Sequence, residues 1–137
     1  MKSKLAKTQK VVLLVAGMLL ILVSILVITS PVDFYAANNI ELGANVSLLN
    51  EPKAPAGMLL GAGLLMVVAI FVRNLADTAM WLATLIYLSY ASSRFVSMAF
   101  DGMPASGLVH AATLEAVVGL TCLAILMIRL IPARKII

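Results

Sequence analysis

In a chain of mostly aliphatic residues, a few polar side chains recur at intervals that suit chemistry. Tyr87, Tyr90, Arg94, Ser97 and Asp101 follow one another at spacings of three, four, three and four, which keeps one face of a helix. Glu115 lies on the next apolar segment. An arginine offers fixed N–H donors to a carboxylate or phosphate. Two carboxylates, Asp101 and Glu115, could act as acid and base or bind a cation. Asn50 and Glu51 add a polar pair ahead of another apolar run. These six residues, Asn50, Glu51, Arg94, Ser97, Asp101 and Glu115, are the candidate cluster, with ligand binding or bundle stabilisation as its role. Metal and nucleophilic chemistry find little material: His110 is the sole histidine and Cys122 the sole cysteine, so no disulfide within the chain and no Cys/His metal set is expected. No cofactor and no enzymatic activity are expected.

The elements that must hold these residues follow from composition. The 137 residues are 63% hydrophobic and 12% charged, about half the charge of an ordinary soluble domain. A membrane domain covering the whole chain, 1–137, is the expectation. Four apolar runs approach the roughly 20 residues that cross a bilayer: 11–29, 56–72, 79–99 and 108–131. In hydrocarbon each backbone N–H must be paired within its own segment, so these runs read as helices. Short connections make the second, third and fourth antiparallel neighbours. The fold class is all-α, an integral membrane four-helix bundle with a long first loop.

Basic residues orient it. Lys2, Lys4, Lys7, Lys10, Arg73, Arg129, Arg134 and Lys135 fall on one side of a four-span layout. Asp33, Glu41, Glu51, Asp101 and the outer-half Glu115 fall on the other, with Lys53 and Arg94. The positive-inside rule then puts both termini in the cytoplasm and the long loop outside. That distribution, and not nucleic acid, accounts for the net charge of +4. A cleaved signal peptide ending near "YAAN" competes for the first run, but its apolar core of about 19 residues exceeds the usual 7–15.

In the first loop, Phe34 and Tyr35 suit the bilayer interface, and Val46, Leu48 and Leu49 suit a short interfacial helix. Asn45-Val46-Ser47 is a sequon of little weight. Asn50 or Glu51 can cap the second span. Gly57 and Gly61 have the small-xxx-small spacing of close helix packing, read as internal in preference to a dimer face. Gly119, sharing a face with Glu115 and Cys122, leaves room for a neighbouring helix or a ligand. Trp81 and His110 read as interfacial, and Met58, Met66, Met80 and Met98 as packing residues.

Two features of the third and fourth spans belong together. Asp101 at a helix C-terminus opposes the dipole and needs donors, from Arg94 (directly or bridged through Ser97) or from N–H groups near Ser106. Gly102 reads as a left-handed helix stop ahead of Pro104. An unpaired Glu115 about 10 Å inside the outer face is costly, about 2.5–3.5 kcal/mol on insertion scales. Antiparallel spans joined by a short loop bring Arg94 to a similar depth, so an Arg94–Glu115 pair is expected.

"NEPKAPAG", "SRFVSMAFDGMP" and Glu115 resemble a bacterial family of four-span membrane proteins described as domain of unknown function 4345. Its pattern falls here on Asn50, Glu51, Lys53, Gly57, Arg94, Ser97, Asp101, Gly102, Pro104 and Glu115. The basic residue after Asn-Glu is usually arginine in that family; here it is Lys53, following Pro52. The resemblance covers nearly the whole chain and implies fold and membrane location without implying an activity.

Three functions remain open. The first is a small inner-membrane protein whose outer polar cluster stabilises the bundle and receives a lipid headgroup or small ligand, as an accessory subunit of a larger membrane complex or a homo-oligomer. The second is an oligomeric transporter or channel using Glu115 as a proton- or cation-coupled site. The third, a membrane enzyme, lacks a nucleophile–base pair and a phosphate loop. Membrane lipids are the expected partners, and nucleic acid is not.

Overall fold

The computed structural model describes residues 2–130, with side chains from 6 to 129. Ile131, Arg134, Lys135 and the side chains of Lys2 and Lys4 lie outside the described residues. In chain order the helices are α1 (Lys2–Thr29), α2 (Pro31–Ala36), α3 (Val46–Asn50), α4 (Lys53–Ala69), α5 (Ala76–Asp101) and α6 (Ser106–Leu130), with a 3₁₀ turn at Arg73–Leu75. No strand occurs among the described residues.

Three stretches are long and apolar enough to cross a membrane: Ala6–Thr29, Val46–Ala69 and Ser106–Arg129. The fourth expected span is the exception. α5 has the length, 26 residues, but its tyrosines, serines and Arg94 dilute its apolar character. Several of its polar side chains are satisfied within the helix. Thr84 donates to the Met80 carbonyl, Ser92 to Ser89 and Ser93 to Tyr90, which lowers the cost of placing hydroxyls in an apolar medium.

The first loop is shorter and more ordered than its sequence suggests. After Ser30, Pro31 opens α2, where proline's missing N–H costs no helical hydrogen bond. Phe34 and Tyr35 stack edge to face, with ring centroids 5.5 Å apart. Asn45 caps α3, its Oδ1 accepting from the Ser47 and Leu48 N–H groups at 3.0 and 3.2 Å. This corrects the expected cap. Asn50 ends α3, and α4 begins after Pro52 with no side-chain cap. Glu51 and Pro52 keep right-handed helical angles, so α3 and α4 form a nearly continuous path. Val46 and Leu48 are exposed on α3, which falls within the apolar stretch Val46–Ala69 and is not set apart from it as a separate interfacial helix.

α1 packs chiefly on α4, and α5 on α6; the two pairs meet through α4–α5, α1–α5 and α1–α6 contacts. The α1–α4 crossing is set by glycine, at positions other than those expected. A Cβ on Gly17 would lie 2.9 Å from the Gly63 carbonyl oxygen, and one on Gly63 2.8 Å from that of Gly17. The two backbones therefore touch. Gly57 and Gly61 instead face outward with nothing within 4 Å of a Cβ; they lie on the far side of α4 from α1. The core between the pairs holds Leu13, Met66, Met80, Cys122 and Leu126, all essentially inaccessible. Met66 and Met80 thus pack as expected, whereas Met58 is exposed.

Candidate functional site

The α5–α6 pair is tied at three levels. Near one end Arg94 faces Glu115; midway a Cβ on Gly119 would meet Leu88 at 2.7 Å; at the other end Asp77 meets Arg129 at 2.8 Å. Position numbers rise on one helix as they fall on the other, so the helices are antiparallel over their whole length. Gly119 makes its room for Leu88 of the neighbouring helix.

At the first of these levels, Arg94 Nε donates to both Glu115 oxygens, at 3.0 Å to Oε2 and 3.3 Å to Oε1. The depth match expected from the short connection is thus realised. Both side chains are mostly covered, with 32% of Arg94 and 17% of Glu115 accessible. At that burial, loss of either partner strands a charge in an apolar setting. The geometry leaves part of the arginine over: its two terminal amino groups have no hydrogen-bond partner among the described residues.

Those groups belong to a side chain that walls a cleft. A space of about 90 Å³ is lined by Arg94, Ser97, Met98, Pro104 and Leu108. Arg94 and Ser97 make one side polar, while Met98, Pro104 and Leu108 make the rest apolar. The α5–α6 connection shapes it. Gly102 has φ 98° and ψ 178°, a region open almost only to glycine. This is not the left-handed helical stop that was expected: φ is positive, but the backbone is extended, and it carries the chain away toward Pro104. The first loop closes on the same end. Asn38 lies over Gly107, where any Cβ would collide with its amide oxygen.

The other expected members separate into two groups. Ser97 Oγ donates to Asp101 Oδ2 at 2.8 Å, so Asp101 takes its donor from Ser97, one turn back, and not from Arg94 or the start of α6. Both are exposed. The polar face of α5 therefore runs from buried Tyr87 through half-buried Tyr90 and Arg94 to exposed Ser97 and Asp101. Asn50 and Glu51 are exposed and share no hydrogen bond or ion pair with Arg94, Asp101 or Glu115. They do not join the pair. His110 is exposed on α6 and Trp81 half-exposed on α5.

A second polar constellation went unread in the sequence. Gln9, only 2% accessible, donates through Nε2 to the Ala76 carbonyl and to Asp77 Oδ1, both at 3.0 Å. Arg129 Nη1 reaches the same Asp77 oxygen. One carboxylate thus joins α1, α5 and α6 at the end away from Arg94. The hydrogen bonds from Arg129 and then Gln9 hold the Asp77 carboxyl below its ordinary value. Between the two ends, Tyr87 Oη donates to the Ala16 carbonyl at 2.7 Å, tying α5 to α1 beside the Gly17–Gly63 crossing. The signal for these contacts was faint: an acidic residue in an otherwise basic connection, and a glutamine just before an apolar run.

The model of the family described as Domain of unknown function (DUF4345) matches residues 8–126. The chain belongs to this family. The DUF4345 match spans all six candidate residues together with Gln9 and Asp77, and stops short of Arg129. The family's description assigns no activity. No curated protein and no solved structure matches the chain.

Proposed function

We propose that this DUF4345 protein is a four-span protein of the bacterial inner membrane that holds a polar headgroup or small ligand at the outer ends of α5 and α6, as an accessory subunit of a membrane complex. It is a binding protein in this reading and not an enzyme. α5 serves as the third span: Thr84, Ser92 and Ser93 bond back to its own helix, Tyr87 bonds to Ala16 of α1, and Arg94 is paired with Glu115. Lys7, Lys10, Arg73 and Arg129 are exposed at one end of the bundle, which the positive-inside rule assigns to the cytoplasm along with both termini. Glu51 and Asp101 are exposed toward the opposite end.

The observation that carries the ligand reading is the half-used guanidinium. Glu115 fixes Arg94 through Nε, its remaining donors have no partner among the described residues, and its side chain lines a cleft with polar and apolar walls. A rigid arginine with spare donors is suited to hold a phosphate or carboxylate. The test is native mass spectrometry of the protein purified in mild detergent. The wild type retains a bound lipid or small molecule; Arg94→Gln and the cleft-filling Leu108→Phe both lose it. Identical adducts on all three proteins would remove the site. Loss of proton uptake in vesicles on Glu115→Gln, with adducts unchanged, would favour transport instead.

A further inference from the structure

We infer that the ligand of this cleft is a zwitterionic amphiphile, with a phosphodiester held on the free edge of Arg94 and a primary ammonium held on Asp101. The inference rests on the Arg94 cleft being a binding site.

Charge balance is the first argument. Arg94, Glu115 and Asp101 are one cation and two carboxylates, so the group as a whole is anionic. Glu115 already neutralises the guanidinium at 3.0 Å. A ligand carrying negative charge alone would meet Asp101 unrelieved. A ligand that brings its own cation satisfies both ends.

Geometry is the second. The terminal amino groups of Arg94 are without a partner among the described residues, and together they form the fork that takes two phosphate oxygens. Asp101 uses Oδ2 for Ser97, and its Oδ1 has no partner among the described residues. Arg94 and Asp101 stand about 10 Å apart along the helix axis. The gap is narrowed because Asp101 leans back onto Ser97, which itself lines the cleft. An ammonium with N–H donors can reach the open carboxylate oxygen; a quaternary one offers none.

The apolar walls supply the third argument. Met98, Pro104 and Leu108 line the cleft opposite the charges. Close to them in sequence, Phe95, Phe100 and Met103 are 47%, 85% and 73% accessible. A partly polar cleft with apolar walls, on a segment that bares large apolar side chains, matches an acyl-bearing molecule better than a free headgroup.

The experiment titrates the detergent-solubilised protein, by native mass spectrometry, with phosphatidylethanolamine, phosphatidylcholine, phosphatidylglycerol and water-soluble glycerophosphoethanolamine. Phosphatidylethanolamine is expected to bind about tenfold tighter than the other two lipids, and tighter than glycerophosphoethanolamine. Asp101→Asn, which keeps an acceptor for Ser97, brings phosphatidylethanolamine down to the phosphatidylcholine level and leaves phosphatidylglycerol unweakened; Arg94→Lys weakens all three lipids. Phosphatidylglycerol binding as tightly as phosphatidylethanolamine, and dependent on Arg94, would overturn the zwitterion while leaving the site. Equal binding of phosphatidylcholine would overturn the ammonium contact. Equal binding of glycerophosphoethanolamine would overturn the amphiphile. If no ligand responds to Arg94, the inference and the site reading fall together.

Discussion

Arg94 and Asp77 do comparable work with different exposure. Arg94 and Glu115 are mostly covered, so their pair stands in a medium where an isolated charge is expensive. Asp77 is 61% accessible on its side chain, so its ion pair with Arg129 contributes only a fraction of a kcal/mol. Its titration still has a definite sign. Because its partners lower the folded-state value, the contribution is present above the ordinary carboxylate range and lost as the pH falls through the depressed value. Melting temperature should therefore fall more steeply for the wild type than for Asp77→Asn between about pH 5 and pH 2, measured by thermal scans in one detergent. Ser24 is a simpler case. It is fully buried and its hydroxyl has no partner among the described residues. Such a group costs about 1–3 kcal/mol when left unmade, so Ser24→Ala should hold or raise the melting temperature. The Arg94–Glu115 pair was legible because helical spacing and a short antiparallel connection fix two depths at once. Gln9, Asp77 and Arg129 sit on three elements spread along the chain, where no local spacing relates them.

Between elements, the α1–α4 contact turns on which glycine faces the partner. Gly57, Gly61 and Gly63 share one turn and a half of α4. Spacing alone selects the first two; Gly17, on a helix far away in sequence, decides for the third. Gly63→Ala drives a methyl toward the backbone oxygen of Gly17, and overpacking of this kind costs about 1–3 kcal/mol. Gly61→Ala meets open space and gains up to about 1 kcal/mol in helix propensity. Thermal scans of the two variants should shift in opposite directions, and a larger loss for Gly61→Ala would reverse the assignment of faces. The extent of α5 has the same lesson. Its apolar run and its stop at Gly102 were readable, but its start at Ala76 was not: it follows directly on the short 3₁₀ turn at Arg73–Leu75, too short to carry a period of its own. The short α2 was hidden for another reason: six residues opened by a proline carry too little periodicity to show.

At the scale of the whole molecule, the bundle is two antiparallel pairs pinned at opposite ends by unlike polar groups, a three-helix clasp at Asp77 and a two-helix pair at Arg94. The proposed four-span layout would put exposed Ser47 outside and exposed Asn74 inside. Native Cys122 is buried and gives little background. In intact cells an impermeant maleimide should label Ser47→Cys at once and Asn74→Cys only after permeabilisation; the reverse pattern would invert the topology. The central claim is that the outer end is organised by Arg94 held on Glu115. A double-mutant cycle in detergent tests it most directly. Arg94→Met and Glu115→Gln should each lose about 1–3 kcal/mol of stability, and the double variant should lose clearly less than the sum. Two single variants of full stability, or losses that simply add, would contradict it.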